Sequence, residues 1–259
     1  MKKIFLVLTL TAFIGAFAQQ KDITLEEAVL SYSKGLTPKN MLGLKWVDGT
    51  NTYVFTEDNE LVIKSVEGKE VKRVGLEKFT KTYPDLKTIP QISSISANEL
   101  VFQYNNQMIQ FNYLKGKEIS RTPFSKDAAN TDYNKKTKAI AYTIANNLFI
   151  SKAIKDNKYS ESQTLPVTSF EDKNIVSGQA IHRYEFGIHK GTFWSPNGNY
   201  LAFYQKDETN VAEYPIVDVT TYPASVKNIK YPMAGQKSEM AKIGIYNVAT
   251  NQTSYLNID

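Results

Sequence analysis

The chain has 259 residues, no cysteine and two histidines, and its 31 basic against 26 acidic side chains give a formal charge of +5. Thiolate zinc sites, disulfide frameworks, a cysteine nucleophile and a three-histidine metal site are thereby excluded, and neither a metal nor another cofactor is expected. With 22% charged and 42% hydrophobic residues the chain reads as folded and not integral to a membrane, and its scattered lysines do not form the basic face that nucleic acid requires.

Residues 1–18 are predicted to be a secretory signal peptide. Lys2 and Lys3 form a charged start, Ile4 to Phe17 are almost wholly apolar, and Ala16-Phe17-Ala18 fits a small-x-small cleavage pattern. The competing reading is a membrane anchor, but the apolar run is shorter than the ~20 residues that a spanning helix needs. Cleavage would lower the formal charge of +5 by two. It would leave a protein exported to a bacterial periplasm or beyond, with no membrane attachment. Residues 19–37 are assigned to a helix and linker. Thr24 and Glu27 have the spacing of a capping box; Leu25, Ala28, Val29 and Tyr32 follow at helical spacing, and Gly35 and Pro38 end the pattern. This helix either docks on something larger or is a plain N-terminal cap.

From residue 38 to 259 the helical period gives way to a repeat of strand, turn, strand and strand. Trp46–Gly49 leads to Thr52–Phe55 and Leu61–Ile63. Ile95–Asn98 leads to Leu100–Tyr104 and Met108–Phe111, and Asp132–Asn134 leads to Ala139–Tyr142 and Leu148–Ile150. Trp194–Gly198 leads to Leu201–Tyr204 and, much later, to Ile243–Tyr246. Matching positions Val54, Val101, Ile140 and Ala202 stand 47, 39 and 62 residues apart, the last spacing being long because two insertions surround it. The first two spacings suit four-stranded propeller blades, which bury their faces on one another. The expected fold is therefore all-β: a β-propeller of four-stranded antiparallel blades, about four of a larger set, after a short N-terminal helix. A sandwich of about a dozen strands is the alternative. Trp46 and Trp194 are expected in the blade cores. A fixed-period repeat that simply stops suggests a propeller truncated at its C-terminus.

The most specific stretch runs from Tyr184 to Tyr204. Tyr184-Glu185-Phe186-Gly187 is followed by Phe193-Trp194-Ser195-Pro196-Asn197-Gly198 and Leu201-Ala202-Phe203-Tyr204. In that hairpin Pro196 presets φ, and Asn197-Gly198 tolerate positive φ. Together with Asp207-Glu208, Tyr214-Pro215 and Tyr231-Pro232-Met233-Ala234-Gly235, these motifs resemble the N-terminal propeller of the dipeptidyl peptidase IV family of serine peptidases. The resemblance is strong over 180–250 and weaker over 38–170. It implies an eight-bladed propeller capping an α/β-hydrolase domain whose Ser-Asp-His triad cleaves after proline near the N-terminus of a peptide substrate.

That family binds the substrate's free α-amine with carboxylates on the propeller, and the resemblance places Glu185 in this role. An ammonium in a partly dry cleft needs a fixed anion and hydrogen-bond acceptors. The dipeptidyl pattern has two adjacent glutamates, whereas here Arg183 and Tyr184 precede a single one. The single glutamate resembles the prolyl tripeptidyl peptidase branch. Arg183 and Tyr184 are supporting candidates; an exposed Arg183–Glu185 pair would contribute only ~0–1 kcal/mol. A surface glutamate without a role is the alternative. His182 and His189 receive no role.

Residues 210–236 form a second insertion with Pro215, Pro223 and Pro232, a pattern that suits an exposed arm. The resemblance implies a homodimer arm, with Tyr214, Ile216, Val217 and Tyr222 as its apolar contact residues; a loop folded back on its own blade is the alternative. No Gly-x-Ser-x-Gly elbow is present, so no catalytic residue is assigned and the chain alone is expected to be inactive. A non-enzymatic binding or scaffold propeller is the rival reading. A glycan- or metal-binding propeller would need Asp-rich ligand loops, which are missing.

Overall fold

The structure, a computed structural model, describes residues 22–38, 40–154 and 164–257. The segment read as a signal peptide lies outside the described residues. By backbone contacts the chain divides into two units, residues 1–41 and 42–259. In the first, helix α1 (Leu25–Val29) is shorter than the helical spacing through Tyr32 implied. Its capping box is formed: the Glu27 backbone N–H donates to Thr24 Oγ1 at 3.1 Å, and the Thr24 backbone N–H donates to Glu27 Oε2 at 3.0 Å. Among the described residues no helix is long and apolar enough to cross a membrane.

The second unit is a series of antiparallel sheets in chain order. Strands β1 (Leu42–Trp46), β2 (Thr52–Glu57), β3 (Glu60–Ser65) and β4 (Glu70–Gly75) form the first meander, and a short helix α2 (Glu77–Thr80) leaves it. Strands β5 (Ile92–Ile95), β6 (Glu99–Tyr104), β7 (Gln107–Asn112) and β8 (Lys117–Pro123) form the second. Strands β9 (Ala129–Tyr133), β10 (Ile140–Ile144), β11 (Asn147–Ser151) and β12 (Thr164–Pro166) form the third. Two-residue turns set the register inside each: Glu57 faces Glu60, Tyr104 faces Gln107 and Ile144 faces Asn147. In the first two, both turn residues have positive φ, at 48° and 62° for Asp58-Asn59 and 45° and 55° for Asn105-Asn106. That conformation matches the right-handed twist of the flanking strands, and asparagine adopts it at low cost.

The central strands are buried on both faces, and period-two alternation sends their side chains to opposite neighbours. Leu100, Phe102, Ile109 and Phe111 pack with Val54, Leu61 and Ile63 of the first sheet. Between them, Val101 and Met108 point the other way, to Ile140 and Tyr142 of the third sheet. Ala139, Ala141, Leu148 and Ile150 in turn meet Leu201, Phe203 and Tyr246 of the fourth. Each sheet thus buries its neighbour, and burying apolar area at roughly 25 cal/mol per Å² is what drives the stacking. This is the blade arrangement that the repeat implied: an all-β partial propeller.

The fourth sheet holds strands β13 (Ile175–Ser177), β14 (Thr192–Trp194), β15 (Tyr200–Asp207), β18 (Met240–Asn247) and β19 (Gln252–Tyr255). A separate hairpin, β16 (Glu213–Asp218) and β17 (Ser225–Lys230), interrupts it between β15 and β18. In the β14–β15 turn only Gly198 takes positive φ, at 73°. Asn197 contributes through its side chain, whose Oδ1 accepts from the Asn199 backbone N–H at 3.1 Å. Trp194 packs against the core shared with the third sheet, and its Nε1 donates to the Asp132 carbonyl at 3.0 Å. Trp46 corrects the expectation that it belongs to a blade core. It is 64% exposed on β1, an edge strand of its sheet, where the Tyr53 ring meets it edge-on at 6.3 Å.

Candidate functional site

Strands β13 and β14 are two halves of one interrupted edge. Ile175 to Ser177 pair with Asp207 to Gln205, and Thr192 to Trp194 pair with Phe203 to Leu201. Between them the chain leaves the sheet over residues 178–191 and returns to the same strand. The Gly178 N–H donates to the Tyr204 carbonyl at 2.8 Å, and the Tyr204 N–H donates to the Gly191 carbonyl at 2.9 Å. At this neck the backbones touch: a Cβ on Gly191 would stand 2.2 Å from the Gln179 carbonyl carbon. Only glycine permits that approach.

The excursion carries a 3-10 segment, His182–Gly187. Ile181, buried, anchors its start, while Glu185 and Phe186 are exposed. The turn is tight, with φ of 51° at His182 and 55° at Phe186. Glu185 lies on the wall of a cleft of ≈ 340 Å³ that also includes His182, Lys206, Glu208, Tyr231 and Glu239. The structure therefore brings Glu185 to the cleft edge. The proposed supporting roles of Arg183 and Tyr184 concern side chains outside the described ones.

The cleft holds three residues that received no role from the sequence. Lys206, at the end of β15, places Nζ 2.6 Å from Glu208 Oε1 and 3.6 Å from Glu239 Oε2. All three side chains are largely buried, between 15 and 18% exposed. The other oxygen of Glu239 accepts the His182 backbone N–H at 3.1 Å. Glu208 follows Asp207, whose carboxyl is held below the usual carboxylate range by the Thr209 hydroxyl and N–H. Chemically, the cleft is a place where a cation meets carboxylates already oriented by hydrogen bonds. Glu208 was within reach of the sequence, since Asp207-Glu208 belongs to the recognised motif. Glu239 was not, because its contact spans 57 residues. Among the described residues no cluster of His, Cys, Asp and Glu could hold a metal ion.

The second insertion forms the two-stranded arm, with Glu213 facing Lys230 and Asp218 facing Ser225. Tyr214, Ile216, Val217 and Tyr222 are all exposed on it. The base of the arm, at Lys230 to Pro232, lines the same cleft as Glu185.

Residues 84–259 match the family profile described as the Dipeptidyl peptidase IV (DPP IV) N-terminal region. A Bacteroides ovatus structure assigned as a dipeptidyl aminopeptidase IV aligns with a TM-score of 0.71 at 34% identity, over 85% of this chain and 30% of its own. Dipeptidyl peptidase 4 of Porphyromonas gingivalis shares the fold, with a TM-score of 0.65 at 19% identity over 92% of this chain and 35% of its own. A Podospora anserina protein assigned as dipeptidyl-aminopeptidase B is 30% identical over 135 residues, which are 46% of this chain and 14% of that protein. The chain thus spans about a third or less of the proteins it matches. With the profile covering more than half of its residues and the blades stacked as described, the chain belongs to the dipeptidyl peptidase IV family, as its N-terminal propeller region.

Proposed function

We propose that this chain is the propeller part of an exported prolyl di- or tripeptidyl serine peptidase, and that Glu185 binds the free α-amine of its peptide substrates. The observation that carries the reading is the position of Glu185 on a cleft whose carboxylates, Glu208 and Glu239, are already ordered by Lys206. A protonated amine entering there exchanges water for the Glu185 carboxylate, while Glu208 and Glu239 stay engaged with Lys206, and the anchor's distance from the nucleophile sets how many residues are removed. The nucleophile belongs to an α/β-hydrolase domain elsewhere in the full-length protein. The exposed arm residues Tyr214, Ile216, Val217 and Tyr222 serve a homodimer contact.

The test uses the full-length peptidase. Glu185→Gln keeps the shape but removes the charge, and should lower kcat/KM on free-amine substrates by about 10- to 100-fold, as expected for a charge-assisted hydrogen bond. Unchanged kinetics would remove Glu185 from the site. Paired Xaa-Xaa-Pro and Xaa-Pro reporters read the release unit. The single glutamate leads us to expect faster cleavage of the longer one, and a clear preference for Xaa-Pro would overturn the tripeptidyl assignment.

A further inference from the structure

Among the described side chains, the segment that carries Glu185 is held from within by the edge-on contact of the His182 and Phe186 rings at 5.8 Å. The 3-10 turn has six residues, and Ile181, at its N-cap, offers no side-chain cap. Phe186 is 84% exposed, so the segment gains no core packing there. A short turn of this kind leaves its first N–H groups without internal partners. His182, its first residue, is in the left-handed region at φ 51°, which costs energy for a non-glycine residue. A contact from outside the segment can steady this geometry.

Glu239 does so. It comes from the connection between β17 and β18, and its Oε1 accepts the His182 N–H at 3.1 Å. Its Oε2 faces Lys206 Nζ at 3.6 Å, and Lys206 is also held by Glu208 at 2.6 Å. Lys206 and Glu208 stand at the end of β15, the strand to which both ends of the excursion are pinned. Glu239 is therefore tied to that strand by charge and to the amine-binding turn by a hydrogen bond. The shorter Lys206–Glu208 contact shows that the ammonium has its main partner in Glu208. The second task of Glu239 is to carry the turn.

We propose that Glu239 is a positioning residue that fixes the turn carrying Glu185 by accepting the His182 N–H. This rests on the amine-anchor reading of Glu185 for its catalytic consequence, though not for the local geometry. The acceptor matters more than the charge. Glutamine keeps an oxygen for the N–H and loses only the weaker pairing with Lys206, while alanine loses both.

The experiment compares wild type, Glu239→Gln and Glu239→Ala in the full-length protein by two readouts. The first is amide hydrogen exchange across 181–188, with the β15 amides as the control for folding. Glu239→Ala should speed exchange in the turn about tenfold, Glu239→Gln should stay near wild type, and β15 should be unchanged in both. The second is the kinetics of a free-amine Ala-Ala-Pro reporter. Glu239→Ala should raise KM about tenfold with kcat little changed, and Glu239→Gln should remain within about twofold of wild type. Wild-type exchange in Glu239→Ala, or equal damage from glutamine and alanine, would overturn the proposal. Faster exchange in the alanine variant with unaltered KM would support Glu239 as the brace of the turn while overturning Glu185 as the anchor, so the two ideas fail separately.

Discussion

A carboxylate such as Glu185 draws its directional properties from its surroundings, and here these come from residues far away in sequence. Lys206 gathers Glu208 and Glu239 on the strand side, and the turn with Glu185 lines the same cleft. Asp132 shows the same economy at the junction of the third and fourth sheets. Its carboxylate accepts from Lys190 Nζ at 3.1 Å and from Thr192 Oγ1 at 2.9 Å, while its carbonyl takes the Trp194 indole N–H. Asp132→Ala leaves the largely buried Thr192 hydroxyl without that acceptor. It should destabilise the protein by about 1–3 kcal/mol, readable as a lower urea midpoint with an unchanged m-value. A midpoint equal to wild type would show that the junction does not depend on this carboxylate. At this scale the sequence singled out Glu185 as a candidate, because motif residues flank it, and concealed Glu239, because nothing local distinguishes a glutamate that closes a long-range contact. Trp46 misled for a physical reason: a large aromatic in a strand reads as core, yet on an edge strand it needs a neighbouring sheet to cover it.

At the level of elements, the hairpins were the most legible parts. Their turns carry Asp-Asn and Asn-Asn pairs, and their central strands are continuous apolar runs. The fourth strands were not. Strand β4 reads Glu70-Val71-Lys72-Arg73 and is exposed over those residues, with Arg73 bridging Glu57, Glu60 and Glu70. Such charged outer edges protect a sheet from pairing further, and they erase the hydrophobic signature that marks a strand. Strand β13 was hidden because only three residues of it remain before the excursion. The neck supplies an element-scale prediction. Gly191→Ala puts a methyl against the Gln179 backbone, and should cost about 1–3 kcal/mol as overpacking. A thermal melt at the wild-type midpoint would refute the close approach. For the arm, Ile216→Asp with Val217→Lys should convert the proposed dimer to monomer in sedimentation velocity, and a persisting dimer would move the contact elsewhere.

Across the molecule, the repeat spacing was informative because every blade solves one problem, covering two faces with period-two side chains. The wide Ile140–Ala202 spacing has its explanation in the 178–191 excursion, which falls within it; the arm comes after Ala202 and adds nothing to it. The stack also buries many tyrosines. Burial pushes Tyr133 up to about 12, and it raises Tyr83, Tyr113 and Tyr246 as well. A tyrosine whose pKa is raised by folding keeps its proton in the native state where the unfolded chain has lost it. Stability is thus fully present below the ordinary value of 10.0 and falls as pH rises toward about 12. Alkaline titration should show a share of the tyrosinate absorbance that appears only together with loss of far-ultraviolet ellipticity, as the buried phenols are released. Ionisation of the full complement with the fold intact would mean that these phenols are accessible to solvent.

Because Tyr204 clasps both ends of the 178–191 excursion, that loop behaves as a bead on a closed ring. Its length and sequence can change between the two pins while every rung of β15 keeps its register. One turn can then be traded for another, as a lathe takes interchangeable bits, provided the incoming turn aims an N–H at Glu239 as His182 does. A loop transplanted from a relative without that N–H should leave the blades standing and the turn misaligned.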